Sequence, residues 1–181
     1  KSSSKSMDHF HIPLQSGSDH ILKLMRRKYC TSEYIEKINM IKDYFPHAGI
    51  GADIITGFPG ETDEHFNLTM NLLRKVPITH FHPFPFSKRK NTLAAKMDCH
   101  VHPTVKKARM QDLLSLGQAK LQCFMEDQLE TFNEALFERK NKKGLWEGYT
   151  SNFLKVHLDS DEDLKNKIKE VKLTSLKDKA L

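Results

Sequence analysis

The stretch IGADIITGFPGET, residues 50–62, decides the fold of this chain. Its apolar run from Ile50 to Thr56 predicts a buried strand, because short apolar runs bounded by turn residues are typical of strands. The glycines and proline of GFPG then supply a tight turn, and Thr62 has the side chain of a helix N-cap. We therefore predict a strand, a turn and a helix that continues to about Lys75.

The same pattern occurs on both sides of this stretch. A strand is predicted over His9–Leu14, and the polar turn QSGSD, residues 15–19, leads into a helix near Ile21. A second helix is expected between Ser32 and Pro46, followed by the central strand, its helix and a third strand over Thr79–Phe86. Strands separated by helices imply parallel pairing, so the turns after the strands share the carboxyl edge of one sheet. That edge is where α/β proteins bind ligands.

The last third of the chain has a different pattern. A long helix is predicted from Thr104 to about Asp127. Short alternating segments divided by polar turns follow it and predict a small antiparallel barrel. We expect domains at 1–97 and 126–181, joined by a linking helix over 98–125. The predicted strands of the barrel are Thr131–Glu138, Leu145–Thr150, Phe153–Leu158 and Ile168–Leu176.

The composition is that of an ordinary, mildly basic protein. The chain has 181 residues and a formal net charge of +6, from 29 Lys+Arg and 23 Asp+Glu. A complete enzyme barrel of about 250 residues does not fit, so any barrel is partial. No apolar run approaches the roughly 20 residues of a membrane span, and we expect a cytoplasmic protein. Basic clusters at residues 88–90 and 139–143 indicate either a solvated surface or contact with nucleic acid phosphates.

Polar residues at the predicted carboxyl edge are candidates for ligand contact. Asp53 lies in an apolar strand, where an unpaired carboxylate is costly, and Glu61 follows the GFPG turn. Capping of the next helix needs neither Gln15 nor Ser16, so both are free to contact a ligand. Arg27 could bind a carboxylate. The simpler alternatives are that GFPG is only a tight turn, that QSGSD only caps a helix, and that Arg27 is only a solvated cation.

Histidines suggest a rival interpretation. Three His-x-His pairs begin at His9, His80 and His100, and residues two apart in a strand share a face. With Asp53, two such pairs could hold the metal ion of a hydrolase. Satisfied histidines at strand ends are the simpler interpretation. The three cysteines stand too far apart for a local metal motif.

Three motifs together resemble the radical S-adenosylmethionine methylthiotransferases. They are HFHIPLQSGSD at residues 9–19, DIITGFPGET at residues 53–62 and HPFPFSKRKNT at residues 82–92. The last motif is most similar to the branch that acts on threonylcarbamoyladenosine in tRNA. LFE at 136–138, GYT at 148–150 and NF at 152–153 resemble the TRAM domain, a small RNA-binding barrel.

The resemblance implies the C-terminal half of a partial (β/α)6 barrel followed by a TRAM barrel. It implies S-adenosyl-L-methionine as cofactor and two 4Fe-4S clusters in the complete enzyme. The family's Cys-x3-Cys-x2-Cys loop is absent from this sequence, so we expect no metal ligands in this chain. Expected partners are tRNA and the N-terminal half of the enzyme; the chain alone is expected to be an inactive monomer without membrane contact. The family also has a glycine near position 130, where this chain has Glu130.

The resemblance further implies roles for individual residues, although it assigns no catalytic residue. The residues expected to bind the cofactor are Gln15, Ser16, Arg27, Asp53, Glu61, Phe84 and Pro85. The residues expected at the substrate are Ser87, Lys88 and Arg89. Those expected at RNA are Arg139, Lys140, Lys142, Lys143 and Lys155 for phosphates, with Tyr149 and Phe153 for base stacking. A noncatalytic RNA-binding fragment is the main alternative, and a His-rich metallohydrolase is the third.

Overall fold

The computed structural model describes residues 7–176, whose strands form two sheets. The first is a parallel sheet of three strands in the order β1–β2–β3, with β1 at His9–His11, β2 at Gly49–Thr56 and β3 at His80–Pro85. The second is antiparallel, in the order β6–β5–β4–β7. Its strands are β4 at Phe132–Lys140, β5 at Trp146–Thr150, β6 at Lys155–Leu158 and β7 at Lys167–Lys172. The predicted change from a parallel to an antiparallel sheet is therefore confirmed.

Two of the four helices, α1 and α3, begin directly after a residue whose side chain caps them. They are α1 at Asp19–Leu24, α2 at Thr31–Tyr44, α3 at Asp63–Lys75 and α4 at Pro103–Asp127, with a short 3₁₀ turn at Ala94–Lys96. The Ser18 hydroxyl accepts the Ile21 N–H, and the Thr62 hydroxyl accepts the His65 N–H, as expected of N-caps. None of these helices is both long enough and apolar enough to cross a membrane.

The first strand is shorter than predicted. Its ladder ends at His11, whereas the sequence pattern continues to Leu14. Pro13 lies just past this end, and its missing N–H falls on the outer edge of the sheet, because its neighbours Ile12 and Leu14 are the residues that bond to β2. The segment nevertheless stays beside β2, since Ile12 and Leu14 donate their N–H groups to the carbonyls of Gly51 and Asp53.

Side-chain alternation along β2 separates the core from the ligand edge. Ile50, Ala52 and Ile54 are buried against α2 and α3 residues in one apolar cluster. Asp53 and Ile55 alternate with them and face the other side of the sheet. In the register with β3, Asp53 lies opposite His82 and Ile55 opposite Phe84. The same face of both strands therefore carries polar and aromatic side chains.

The described residues divide into two compact units. His11–Pro46 and Ile50–Lys120 form one unit, and the remaining described residues, including everything from Leu121 onward, form the other. The core of the second unit contains Phe137, Trp146 and Val156 together with Phe124 and Leu173. Helix α4 contributes residues to both units, so the predicted boundaries of 1–97, 98–125 and 126–181 remain a proposal.

Glu130 occupies the position where the family resemblance places a glycine. Its φ is 64°, in the left-handed region that favours glycine. The Glu130 N–H donates to the Leu173 carbonyl, and its carboxylate pairs with Lys172. A left-handed backbone costs a residue with a Cβ about 1–2 kcal/mol. The turn before β4 thus keeps a glycine-like conformation despite its side chain.

We expect the free energy of unfolding to be about 1 kcal/mol higher for Glu130→Gly than for Glu130→Ala. Both variants lose the ion pair with Lys172, so the difference isolates the backbone. The measurement is urea unfolding of the two variants. Glu134, which lies within strand β4, provides the control, since Gly there should be less stable than Ala by about 0.5–1 kcal/mol. Equal stabilities at position 130 would contradict this account of the turn.

Candidate functional site

An open cleft of about 600 Å³ lies at the carboxyl edge of the parallel sheet. It combines a carboxylate, a guanidinium, hydroxyls and aromatic rings on one surface. Six of the residues predicted from motifs line it, namely Gln15, Asp53, Phe84, Pro85, Ser87 and Arg89. The others that line it are Ile55, Phe86, Thr92 and Ala94. The structure thus brings together residues that lie up to 79 positions apart, from 15 to 94.

Asp53 is the anionic group of the cleft, and His11 holds it. The His11 Nε2 lies 3.1 Å from Asp53 Oδ1, and the Asp53 side chain is 30% exposed. The His11 and His82 rings are 5.2 Å apart, so imidazoles from both neighbouring strands flank this carboxylate. Asp53 is therefore paired on one side and accessible on the other, which suits a group that accepts hydrogen bonds from a ligand. Sequence reasoning assigned His11 only to a metal site.

Gln15 has a left-handed backbone, with φ at 67°. Its N–H donates to the Asp53 carbonyl and its carbonyl accepts from the Ile55 N–H, each at 2.8 Å, so β2 fixes the residue on both sides. The Gln15 Oε1 accepts a hydrogen bond of 3.1 Å from Arg27 Nη2. Strained backbone of this kind persists where its surroundings determine it fully, and it is frequent at ligand sites. Arg27 is thus linked to the cleft through Gln15, although it is not one of the lining residues.

Ser16 points away from the cleft. It is fully buried, and its hydroxyl accepts the Ser18 N–H at 3.2 Å and lies 3.4 Å from the Thr69 hydroxyl. Thr69 Oγ1 also accepts the Gly17 N–H at 2.9 Å, and a Cβ on Gly17 would lie 2.5 Å from the Thr69 Cα. The QSGSD turn is therefore fixed to α3 by close packing. A threonine on the apolar face of α3 was the only sequence signal for this contact.

Glu61 is also outside the cleft lining, in a buried ionic network. Its Oε2 accepts the Gly57 N–H and an Arg109 Nη1 hydrogen bond, each at 2.6 Å. Arg109 Nη2 reaches Asp63 at 2.7 Å, and the guanidinium lies 5.3 Å from the Phe66 ring centroid. Burial raises the pKa of Glu61, while the Gly57 N–H and Arg109 act in the opposite direction. The network fixes the GFPG turn, where Gly57 has a φ of 75°.

The basic segment after β3 forms one rim of the cleft. Arg89 lines the cleft, whereas Lys88 is exposed and is not one of its lining residues. The Thr92 hydroxyl donates to the Arg89 carbonyl at 2.8 Å and shapes this turn. Lys106 from α4 donates to the Phe86 carbonyl at 3.2 Å, so the end of β3 is held from outside.

A second surface, the basic groove, lies in the antiparallel unit. It has a volume of about 660 Å³ and an apolar floor that includes Phe137, Val156 and Leu173. Cationic side chains along it are Lys142, Lys143, Lys155 and Lys172, with His157 beside them. Three of the five predicted phosphate contacts therefore line one groove, while Arg139 and Lys140 do not line it.

Tyr149 and Phe153 form an aromatic stack in the same unit. Their ring centroids are 5.1 Å apart at an interplanar angle of 21°, and the His9 ring lies 4.7 Å from Phe153. In the register of β5 with β6, Tyr149 lies opposite Lys155. An exposed ring therefore neighbours a side chain of the basic groove.

Comparisons with known proteins agree with this geometry. Residues 2–73 match the model of the radical SAM superfamily, and this range includes strands β1 and β2 of the parallel sheet. The chain is 37% identical over 175 residues to the threonylcarbamoyladenosine tRNA methylthiotransferase MtaB of Bacillus subtilis strain 168, covering 94% of this chain and 39% of that protein. It is 38% identical over 175 residues to a tRNA-2-methylthio-N(6)-dimethylallyladenosine synthase of Bacillus pumilus, covering 94% of this chain and 34% of that protein.

A third relative is the synthase of the same name from Thermodesulfovibrio yellowstonii, at 40% identity over 158 residues, with 87% of this chain and 36% of that protein covered. The resemblance to the radical SAM methylthiotransferases is thus confirmed: the chain is a homologue of these tRNA-modifying enzymes. It spans between a third and two fifths of the length of these three relatives.

The radical SAM class implies S-adenosylmethionine and an iron-sulfur cluster, and the two groups fit these residues differently. The cleft offers a carboxylate, an amide and aromatic surface, which suit the polar and adenine parts of S-adenosylmethionine. Cys30, Cys99 and Cys123 are free thiols far apart in sequence, and over residues 7–176 no three His, Cys, Asp or Glu side chains form a metal-binding group. This part of the chain therefore does not fit a cluster, and it does not support the metallohydrolase alternative.

We expect Arg109→Met to lower the free energy of unfolding by about 3–5 kcal/mol near neutral pH, because it leaves Glu61 buried without its cation. Losing Arg109 moves the folded-state pKa of Glu61 further above its unfolded value. The folded chain then holds a proton that the unfolded chain has lost, so stability falls as pH rises through that interval. The deficit should therefore be smaller at about pH 5 than at about pH 8 in urea unfolding.

Arg74→Met is the matched control, since Arg74 is exposed on α3 and its guanidinium donates to the neighbouring Asn71 side chain. Its effect should stay within about 0.5 kcal/mol at either pH. An Arg109→Met deficit that is the same at both pH values would show that Glu61 does not take up the proton.

Proposed function

We propose that this chain is the cofactor- and tRNA-binding part of a tRNA methylthiotransferase. The observation that carries the proposal is the cleft at the carboxyl edge of the parallel sheet, which residues from three separate motifs line together. Homology to named tRNA methylthiotransferases gives this cleft its chemical interpretation. The proposed substrate is threonylcarbamoyladenosine next to the anticodon.

The cleft residues have distinct proposed roles toward S-adenosylmethionine, which when bound supplies a deoxyadenosyl radical and a methyl group. Asp53, oriented by His11, accepts hydrogen bonds from ribose hydroxyls or the ammonium group. Gln15 presents its amide beside Asp53 and is itself oriented by Arg27. The backbone at Phe84 and Pro85 meets the adenine. In this proposal Ser16 and Glu61 act as positioning residues, because their side chains are used in holding the two turns.

Arg89 supports threonylcarbamoyladenosine over dimethylallyladenosine as the substrate. A threonylcarbamoyl group ends in a carboxylate, whereas a dimethylallyl group is apolar and uncharged. Arg89 is the cationic side chain among the cleft-lining residues, and the hydroxyls of Ser87 and Thr92 lie in the same lining. A guanidinium with nearby hydroxyls suits a carboxylate better than a hydrocarbon.

The proposed architecture is the C-terminal half of a partial (β/α)6 barrel followed by a TRAM barrel. In support, the parallel sheet has only three strands among the described residues, and β1 lies at its edge. An N-terminal half that continues the sheet from β1 would carry both 4Fe-4S clusters. The chain alone would then be inactive, and the complete enzyme a cytoplasmic monomer that acts on tRNA.

We expect the 181-residue chain to bind S-adenosylmethionine weakly and Asp53→Asn to bind it about tenfold more weakly. The reason is the loss of a hydrogen bond to a charged group, which is worth about 1.5–3 kcal/mol. Saturation-transfer NMR detects binding in the millimolar range and suits this measurement.

Two further variants make this experiment specific. Asp43→Asn removes a carboxylate from the exposed surface of α2 and should leave the affinity unchanged. Threonylcarbamoyladenosine should bind more tightly than dimethylallyladenosine, and Arg89→Gln should abolish that difference, whereas Lys90→Gln should not. Binding that is indifferent to Asp53 would reject the cleft as the cofactor site, and equal binding of both nucleosides would reject the substrate assignment.

RNA binding without turnover is a second candidate function, and the basic groove favours it. Lys142, Lys143 and Lys155 line the groove, and the partly exposed Tyr149, which stacks on Phe153, lies opposite Lys155. Phosphate contacts give affinity without sequence preference, while base stacking adds about 1–3 kcal/mol for each base.

Replacing Lys142 and Lys143 together by Ala should weaken tRNA binding and flatten its dependence on salt by about 1.4–1.8 units of slope. Each phosphate contact releases condensed counterions, so two lost contacts remove two contributions to that slope. The measurement is the affinity of the 181-residue chain for a tRNA transcript at several salt concentrations. Lys37→Ala with Lys75→Ala, two exposed lysines of the parallel unit, controls for net charge. Binding that ignores salt would contradict a phosphate-directed groove.

A further inference from the structure

Glu147 engages three basic side chains on the antiparallel sheet. Its Oε1 lies 2.8 Å from Lys155 Nζ and 3.1 Å from His157 Nε2, and its Oε2 lies 3.5 Å from Arg139 Nε. The register explains this convergence, because Arg139 on β4 and His157 on β6 both pair with Glu147 on the intervening strand β5. One carboxylate therefore lies at the centre of a row of basic side chains.

The environment of Glu147 keeps it charged. Its side chain is only 15% exposed, so solvent screens these contacts less than at an open surface. The hydrogen bond from Lys155, with a further one from His157, lowers the pKa of Glu147 to about 2. Protonation of Glu147 therefore does not release Lys155 near neutral pH, whereas another anion can replace the carboxylate on Lys155.

The partners of Glu147 are also groups that RNA would use. Lys155 and His157 line the basic groove with Lys142 and Lys143, and Arg139 has a side chain that is 78% exposed. An RNA phosphate that approaches Lys155 must therefore replace a carboxylate that is already in contact with it. The replacement exchanges one charge-assisted hydrogen bond for another, so these cations contribute less to affinity than free ones.

We propose that Glu147 competes with RNA phosphates for Lys155 and Arg139, and so limits the affinity and the salt dependence of RNA binding at this surface. The inference rests on the RNA binding proposed above. A general charge effect would follow from removing any acid of this unit, whereas this competition requires the carboxylate that contacts Lys155 and Arg139.

Glu162 provides a matched comparison in the same unit. Like Glu147, it pairs with two cationic side chains, here Lys167 Nζ at 3.3 Å and Lys169 Nζ at 2.9 Å. Its substitution changes the net charge by the same amount, but none of these three residues lines the basic groove. If the position of the acid matters and not the net charge, the two substitutions will change the affinity for tRNA by different amounts.

The experiment compares Glu147→Gln and Glu162→Gln in the 181-residue chain, with a tRNA transcript as the probe. Freeing two cations should steepen the salt slope by about 1.4–1.8 for Glu147→Gln. Over roughly 0.8 log units of salt, from about 1 M down to about 0.15 M, this gives at least about tenfold tighter binding. Glu162→Gln should change the affinity by less than about twofold, since only the long-range potential differs.

A double variant tests whether Lys155 carries the effect. Lys155→Gln should reduce the slope more in the Glu147→Gln background than in the original chain, because Glu147 no longer masks that lysine. Equal effects of Glu147→Gln and Glu162→Gln, or weaker binding by Glu147→Gln, would overturn the competition while leaving RNA binding intact. If neither the original chain nor Glu147→Gln binds tRNA at low salt, both the inference and the proposed RNA-binding function fail.

Discussion

The cleft depends on the two-residue period of strand β2. Ile50, Ala52 and Ile54 are buried together, and this requires Asp53 and Ile55 to face the opposite side. A slip of one residue would bury the Asp53 carboxylate and expose Ile50 and Ile54. The same constraint therefore sets both the hydrophobic core and the position of Asp53. The register with β3 extends this constraint across the sheet, because it aligns Asp53 with His82 and Ile55 with Phe84.

Two turns at the carboxyl edge of the sheet, one after β1 and one after β2, are held rigid by contacts with other elements. Gln15 keeps a left-handed backbone because β2 bonds to its N–H and its carbonyl. Glu61 fixes the other turn by accepting the Gly57 N–H while Arg109 compensates its buried charge. Each arrangement stabilises a conformation that is costly in isolation, and each lies next to a cleft whose polar groups must be held in place. The cleft is thus preorganised by contacts that no ligand needs to touch.

Local signals made the elements predictable, while contacts between distant residues were not. Ser18 and Thr62 cap the helices that their sequences predict, because a cap involves only residues three positions apart. By contrast, the direction of the Ser16 hydroxyl depends on Thr69, 53 residues later, and the use of Glu61 depends on Arg109, 48 residues later. The motifs predict that Ser16 and Glu61 bind the cofactor, whereas the fold adds that both side chains also bond within the protein, to Thr69 and Ser18 and to Gly57 and Arg109. The first strand is an intermediate case, since its apolar pattern predicts a strand to Leu14 and the backbone follows β2 that far, although the regular strand ends at His11.

The acids of the antiparallel unit illustrate how a basic surface can be stable before a ligand arrives. Closely spaced cations repel one another, and an acid among them lowers that repulsion while the surface is free. Glu147 does this from the strand between β4 and β6, where its cross-strand partners also favour the observed register by about 0.2–1 kcal/mol for each pair. The same contacts oppose any anion that needs Lys155 or Arg139. Glu147 therefore helps to order the free surface and weakens anion binding at that surface. Both effects come from its charge, because a glutamine would keep the shape and part of the hydrogen bonding.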